Sequence, residues 1–236
     1  MTEKELRQKV ADIMLGWEGA KKGSPTHIEI LNIYNSYAPL ARGYAVKLND
    51  AWCAATASAA WITAGVAEWT GTECSCSKLI EIAKSKGIWV ENDKYVPRIG
   101  DAVLYDWDDG TNYAAADNKG NPEHIGIVVK SGMDAYTVIE GNKGGAVGKR
   151  CLAINARYVR GFITPDYARY AEELTERETE TADRYQSVDE LPRWARADIR
   201  ELVDKDYLRG DGEGLDLSMD MVRVLIICKR MIDGKE

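Results

Sequence analysis

The sequence is poor in histidine and has no long apolar run. Its 236 residues include only two histidines, His27 and His124, which lie far apart. A catalytic zinc site usually takes two or three histidines, and the chain has no His-Glu-x-x-His motif. We therefore expect no metal-dependent hydrolase and no metal site. No segment approaches the roughly 18 apolar residues of a membrane-spanning helix, so we expect no membrane insertion.

Positive charge is also in deficit. Lysine and arginine total 31 against 38 acidic residues, which gives a net charge of −7. Proteins that bind nucleic acid carry a basic surface, so DNA and RNA are not expected partners. Residues 1–22 lack a cationic start, an apolar run and a small-residue cleavage site. We therefore expect no secretory signal, and a cytoplasmic chain until something else releases it.

The cysteines do not form a disulfide pattern. The chain has five: Cys53, Cys74, Cys76, Cys151 and Cys228. An odd and widely spread set is not typical of a disulfide framework, and it indicates a reducing compartment. Cys74 and Cys76 are too close in sequence for a metal knuckle; proximity to a site is possible for them, but packing is the preferred interpretation.

Hydrophobic periodicity predicts an α+β domain. Helices are predicted over about residues 3–18, from residue 26, and over 51–64 and 77–86. After Pro97 the apolar period changes to two, and strands are predicted at 102–107, 125–130, 136–140, 150–154 and 159–163. Helices followed by antiparallel strands indicate helices packed on a sheet.

The chain divides into three predicted parts. Residues 1–168 form the main domain, 169–184 a strongly charged segment, and 185–236 a small helical module. The charged segment is interpreted as either a solvated helical spacer or a linker. The module is predicted to contain one helix over 191–203 and a second that begins after Ser218 and runs to about residue 232.

Cys53 is the candidate nucleophile. It lies near the start of the predicted third helix, which Asp50 is expected to cap. Unpaired N–H groups and the helix dipole at such a position favour the thiolate. The alternative is that Cys53 is a small buried residue in an alanine-rich helix.

His124 begins the second long strand and is the candidate base. A hairpin centred on Gly132 would place His124 opposite Glu140. Because strand side chains alternate, Glu140 and Asn142 are expected on the same face. His124 therefore has two candidate orienting partners.

These residues occur in motifs that resemble the CHAP family of cysteine, histidine-dependent amidohydrolases/peptidases. The motifs are Trp52-Cys53, Pro97-x-x-Gly100-Asp101, His124-Ile125-Gly126-Ile127 and Ile139-Glu140-Gly141-Asn142, within residues 26–164. The resemblance implies a papain-like fold, with helices packed on an antiparallel sheet of five or six strands, and cleavage of amide bonds in peptidoglycan. It also implies that Cys53 is the nucleophile, His124 the base and acid, Glu140 the orienting residue and Asn142 a fourth polar member, with no cofactor.

Two features depart from the family and its relatives. Papain-like proteases use a glutamine upstream of the cysteine, but the only such residue is Gln8. The oxyanion would instead be bound by the Cys53 N–H and by another donor, for which Asn49 and Tyr44 are candidates. The acidic cluster that binds calcium in some relatives is absent before Cys53. The run Asp106-Trp107-Asp108-Asp109 is interpreted as a solvated loop.

Aromatic residues around the motifs suggest a substrate groove. Trp52, Tyr34 and Trp107 are candidate substrate-binding residues. Core packing is an equally good interpretation for each of them. His27 is expected at the surface or as a cap near a helix start.

The C-terminal module loosely resembles an S-layer-homology motif, a family that attaches proteins to cell-wall polymers. The matching residues are Trp194-Ala195, Ile199, Leu202, Tyr207, Gly210 and Arg223. The resemblance implies wall targeting, and the apolar second helix also allows self-association into a homo-oligomer. The alternative is an appendage that only stabilises the main domain.

Together these observations predict a peptidoglycan hydrolase of the endolysin or autolysin type. It would be an N-acetylmuramoyl-L-alanine amidase or a cross-bridge endopeptidase that uses a Cys-His-Glu/Asn thiol mechanism. A cysteine protease that acts on a protein, and a catalytically inactive wall-binding protein, are the alternatives.

Overall fold

The computed structural model describes residues 1–92, 94–108, 120–182, 184–210 and 212–233. The chain divides into two compact units, Met1–Ala171 and Glu172–Glu236. In chain order the first unit contains α1 (Glu3–Gly16), α2 (Pro25–Ser36), a single 3₁₀ turn (Ala41–Gly43), α3 (Cys53–Ala64), α4 (Ala67–Thr70) and α5 (Cys76–Ser85). Helix α6 (Tyr167–Ala182) spans the boundary between the units.

The strands of the first unit form one antiparallel sheet. They are β1 (Trp89–Val90), β2 (Ala102–Tyr105), β3 (His124–Ser131), β4 (Ala135–Lys143), β5 (Ala146–Ala153) and β6 (Val159–Ile163). Their order across the sheet is β1-β6-β2-β3-β4-β5, and every neighbouring pair is antiparallel. The predicted α+β class with an antiparallel sheet is confirmed. The sequence missed β1 because two residues are too few to show a period.

Local signals set several helix ends. Thr2 and Glu5 form the expected capping box at the start of α1. Gly65 ends α3 in a left-handed conformation, with φ of 83°. The predicted cap at Asp50 is wrong, since α3 begins at Cys53 after Trp52, which provides no side-chain cap. The Asp50 carboxylate instead accepts from the backbone N–H of Lys47, at 2.8 Å, and so closes its own turn.

Helix α3 lies at the centre of the first unit. It packs against α1, α2, β3 and β4. Its small residues are almost all buried, which lets the helix approach the sheet closely. At Gly141 of β4 an added Cβ would collide with the hydroxyl of Thr56. A glycine at this position therefore permits the close contact that brings the start of α3 to the sheet.

A buried ion pair ties α1 to the start of β2. Arg7 Nη1 donates to Asp101 Oδ1 at 2.9 Å, and both side chains are buried. The other carboxylate oxygen of Asp101 accepts from Tyr95 Oη and from the Arg98 N–H, each at 2.8 Å. The Asp101 carboxylate therefore has partners on both oxygens, which buried charges require.

The second unit has its own small core around α7 (Arg196–Asp204) and α8 (Met219–Ile232). Its buried residues are Leu191, Ala195, Ile199, Leu217, Val222 and Ile226. Helix α7 begins at Arg196, later than the predicted Leu191, because a turn closed by Ala195 N–H and Pro192 O precedes it. Two residues of the S-layer-homology resemblance, Trp194 and Tyr207, lie outside this core and are 51% and 77% exposed.

The charged segment is helical. Of the two interpretations of residues 169–184, the helix is correct as far as Ala182, where α6 ends. Over the part of the chain that the structure describes, no helix has the length and apolarity needed to cross a membrane.

Candidate active site

Cys53 is the first residue of α3, and its side chain is almost buried. Its Sγ lies 3.9 Å from Cys76 Sγ, at the first residue of α5. The pKa of Cys53 is lowered to about 5, chiefly by the hydrogen bond with Cys76 and then by the hydrogen bond and charge of His124, although burial opposes the shift. Cys53 is therefore a thiolate at neutral pH.

His124 is the first residue of β3 and lies against both Cys53 and Glu140. Its Nε2 is 3.2 Å from Glu140 Oε2, and the imidazole also forms a hydrogen bond with the Cys53 side chain. Burial disfavours the imidazolium, but hydrogen bonds with Cys53 and Glu140 and the charges of both outweigh burial and raise the pKa of His124 to about 9. Cys53 and His124 therefore form a thiolate–imidazolium pair over a broad range of pH.

Glu140 of β4 is fully buried and holds the other side of the imidazole. It also accepts two hydrogen bonds from Arg150 of β5, from Nε at 2.5 Å and from the guanidinium Nη2 at 3.0 Å. Burial alone would raise the pKa of Glu140, but the hydrogen bonds from His124 and Arg150 lower it below its usual value. The carboxylate stays ionised because two cations share it.

The predicted register between β3 and β4 is wrong by two residues. Ile127 pairs with Ile139, and continuing this register places Glu140 opposite Gly126 instead of His124. A bulge between Val128 and Lys130 shifts the pairing toward the turn. Because a shift of two keeps each side chain on its face, His124 and Glu140 still meet as diagonal neighbours.

Gly126 gives the Glu140 side chain its room. An added Cβ at Gly126 would lie 2.6 Å from Glu140 Cγ. A side chain in this position would displace the carboxylate that binds His124. The His-x-Gly spacing on β3 therefore fits the orienting residue on β4.

The strand alternation that predicted Asn142 on the same face as Glu140 is interrupted at Asn142. Its φ is 56°, in the left-handed region, and the β4–β5 pairing shifts between Glu140 and Lys143. This bulge breaks the period of two on which the prediction depended. Within the described residues, no hydrogen bond joins Asn142 to Cys53, His124 or Glu140.

Two predicted substrate-binding residues are buried. Trp52 has no exposed surface and packs on His27 with ring centroids 4.3 Å apart. Tyr34 is 1% exposed. Both belong to the core, so the packing interpretation is correct for them. His27 is buried as well and is not at the surface. Its Nδ1 accepts from the Gly23 N–H at 2.9 Å.

Trp107 remains a candidate for substrate contact. It is 38% exposed, and its ring lies 6.2 Å from that of His124. Its ring stacks on Tyr105 at 4.9 Å, and the Arg150 guanidinium lies 5.0 Å from the Trp107 centroid. These contacts fix an exposed aromatic face beside the imidazole.

The candidate oxyanion donors beyond Cys53 have other hydrogen-bond partners. The Tyr44 hydroxyl donates to Asp50 Oδ2 at 2.7 Å. The Asn49 carbonyl accepts from Lys22 Nζ at 3.2 Å. Among the described residues, no hydrogen bond joins Tyr44 or Asn49 to Cys53. The N–H groups in the first turn of α3 remain, since the first N–H groups of a helix lack intrahelical acceptors.

The described ranges contain no group of three or more His, Cys, Asp or Glu side chains that could hold a metal ion. Asp109 of the acidic run lies outside the described residues. Asp106 is buried and accepts from the Asp108 N–H at 2.9 Å, which closes a local turn.

Two residues of the cluster, Arg150 and Cys76, were not predicted from the sequence as site residues. Arg150 begins a predicted strand, and the β4–β5 pairing of Val138 with Arg150 places it diagonally across from Glu140. A hairpin register for β4 and β5 would have found it. Cys76 was assigned to packing, and no local signal places it against Cys53 because the two helices meet only in the folded chain.

No family model, curated protein or solved structure matches this chain. The function of this chain must therefore be inferred from the geometry of the site and from the motifs quoted above.

Proposed function

We propose that this chain is a cysteine-dependent amidohydrolase of the CHAP type that cleaves an amide bond of bacterial peptidoglycan. The observation that supports this proposal is the series of contacts from Cys53 to His124 and from His124 to Glu140, called the relay below. In it the pKa of the Cys53 thiol is lowered and the pKa of the His124 imidazole is raised. Such a pair is the activated nucleophile and acid of thiol acyl transfer. The proposed place of action is the cell wall, after release from the cytoplasm.

The arrangement of elements supports a papain-like fold. A helix presents the nucleophile at its N-terminus and packs on an antiparallel sheet, whose strands carry the histidine and the orienting carboxylate. The helix end contributes a positive dipole and free N–H groups to the thiolate. Three of the four CHAP-like motifs lie on these elements, and the fourth, Pro97-x-x-Gly100-Asp101, ends immediately before β2.

The mechanism follows from the protonation states. The Cys53 thiolate attacks the amide carbonyl carbon, and the oxyanion is bound by N–H groups at the start of α3. His124 then gives its proton to the departing amine, and the C–N bond breaks. Next, His124 takes a proton from water, which attacks the thioester and releases the acid. Glu140 holds the imidazole in position and balances its charge throughout.

The decisive experiment compares wild-type protein with Cys53→Ala on purified cell walls. We expect the wild type to clear the suspension and the variant to be inactive. Mass spectrometry of the released muropeptides would identify the bond. New amino termini on alanine with free lactyl groups would indicate an amidase, and new termini within the bridge an endopeptidase.

The rival functions give different results in the same assay. A protease for protein substrates would leave every wall preparation intact but cleave members of a protein panel in a Cys53-dependent way. A wall-binding protein without activity would pellet with walls and release nothing. Full lytic activity in Cys53→Ala would refute the proposal.

A wall-targeting or self-association role for the second unit stays a prediction. Helix α8 exposes apolar side chains at Met221, Val224, Ile227, Met231 and Ile232. Replacing Val224 and Ile227 with glutamate in the full chain tests both roles. Loss of pelleting with walls would support targeting, and a smaller mass in sedimentation would support self-association; no change in either would support the appendage.

A further inference from the structure

A second thiol lies beside the proposed nucleophile and takes part in no step of the proposed mechanism. Cys53 Sγ and Cys76 Sγ lie 3.9 Å apart, both are nearly buried, and both are reduced. Each is the first residue of its helix, Cys53 of α3 and Cys76 of α5. The two sulfurs are therefore in van der Waals contact inside the site.

We propose that Cys53 and Cys76 form a reversible disulfide when a hydroperoxide oxidises the site, and that this bond switches the proposed hydrolase off. A disulfide needs an S–S separation of about 2.0 Å. From their separation of 3.9 Å, the sulfurs must approach each other by about 1.9 Å to reach this length. The consequence for activity depends on the proposed function, but formation of the bond does not.

The chemistry begins at Cys53 because its sulfur is the thiolate. The sulfur attacks one oxygen of the hydroperoxide, the S–O bond forms, and the O–O bond breaks. The leaving oxygen takes a proton and departs as water or an alcohol. Cys53 is now a sulfenic acid, and the peroxide has been reduced.

Cys76 then completes the bond. Its Sγ attacks the Cys53 sulfur, the S–S bond forms, and the S–O bond breaks. The hydroxide that leaves combines with the Cys76 proton as water. Each sulfur has lost one electron, and together they supply the two electrons that reduced the peroxide.

Electrostatics favour this order of events. The pKa of Cys76 is raised well above its usual value, first by its hydrogen bond to Cys53 and then by burial. The first cause disappears once the Cys53 sulfur is a neutral sulfenic acid. The resting site thus holds one thiolate and one thiol, and oxidation of the first sulfur makes the second easier to ionise.

The other nearby cysteine provides a matched control. The Arg42 guanidinium donates to Cys74 Sγ at 3.4 Å, and Cys74 is more exposed than Cys76. Cys74 lies two positions from Cys76 in sequence, but among the described residues no hydrogen bond joins it to Cys53. Cys74→Ala should therefore leave the disulfide intact, whereas Cys76→Ser should abolish it.

The experiment treats the full chain with hydrogen peroxide and maps peptides without reduction. We expect one cross-link, between the peptides that carry Cys53 and Cys76, in both wild type and Cys74→Ala. Wall-lytic activity should fall with the cross-link and return fully with dithiothreitol. In Cys76→Ser the same treatment should carry Cys53 on to sulfinic and sulfonic acid, and dithiothreitol should restore nothing.

Two results would overturn the inference: a cross-link that joins other cysteines, or sulfinic Cys53 without a cross-link in the wild type. The map of the wild type needs no variant to fold and no activity to read. If walls are cleared but the cross-link does not form, this inference fails and the hydrolase stands. If the cross-link forms but Cys53→Ala still lyses walls, the proposed function fails instead.

Discussion

Arg150 and Glu140 form a two-point contact on neighbouring strands, with the guanidinium of β5 holding both oxygens of the carboxylate that orients His124. The Arg150 side chain is 30% exposed and the Glu140 side chain is fully buried. The orienting carboxylate therefore has a cation on each side. Arg150 acts through Glu140 and is a positioning residue.

Replacing Arg150 tests this role. Arg150→Ala should lower kcat by about 10–100-fold, because a hydrogen bond to a charged group contributes about 1.5–3 kcal/mol. KM should change less than kcat, since Arg150 also lies against the Trp107 ring, and Arg150→Lys should restore part of the loss. Lys149→Ala is the control, since Lys149 pairs with Glu18 instead. Unchanged kcat in Arg150→Ala would remove Arg150 from the relay.

The pH profile tests the ion pair. We expect kcat/KM to rise as the pH passes about 5, where Cys53 becomes a thiolate, and to fall as it passes about 9, where His124 loses the proton that the leaving amine needs. The two limbs belong to the coupled pair. A profile that is still rising at pH 9 would contradict a preformed thiolate.

Cys76 should shift only the acidic limb. Its hydrogen bond to Cys53 is the largest cause of the lowered thiol pKa. In Cys76→Ala the thiolate loses this donor, so the acidic limb of kcat/KM should move to higher pH, while Cys74→Ala keeps the wild-type limb. An acidic limb at the wild-type position in Cys76→Ala would show that Cys76 does not tune the nucleophile.

The glycine opposite Glu140 offers a substitution that separates activity from stability. Gly126→Ala introduces a methyl group 2.6 Å from Glu140 Cγ and should displace the carboxylate. We expect overpacking to lower the free energy of unfolding by about 1–3 kcal/mol. We expect kcat to fall by more than the loss of folded protein would explain, because the carboxylate that orients His124 is displaced. Gly16→Ala is the control, because nothing lies within 4 Å of its added Cβ. Urea unfolding and wall lysis, measured on the same samples, show whether the loss of activity exceeds the loss of stability.

Breaking the buried ion pair between Arg7 and Asp101 should destabilise the first unit strongly. Asp101→Ala leaves the Arg7 charge buried without this partner, and we expect a loss of about 3–5 kcal/mol in urea unfolding. Glu81→Ala breaks a surface pair with Lys78 and should cost less than about 1 kcal/mol. Equal effects of the two substitutions would show that the buried pair contributes little.

Short-range patterns in the sequence predicted most of the helices and strands. The capping box at Thr2, the stop at Gly65 and the change of period after Pro97 each depend on residues a few positions apart, so they can be recognised without the fold. Asp50 was misassigned as a cap because the same carboxylate can close a turn, and only the folded loop shows which N–H it accepts from.

By itself, the sequence determined the α+β class and the chemical identity of the candidate site: a thiol at a helix start, an imidazole at a strand start and a carboxylate on the next strand. Tertiary structure alone decided the β3–β4 register, the bulge at Asn142, the burial of Trp52 and Tyr34, and the presence of Arg150 and Cys76 beside the relay. The physical reason is the separation along the chain of the residues that interact. Periodicity and capping arise between near neighbours, whereas a bulge or a contact between two helix ends is set by packing between segments that are distant in the chain.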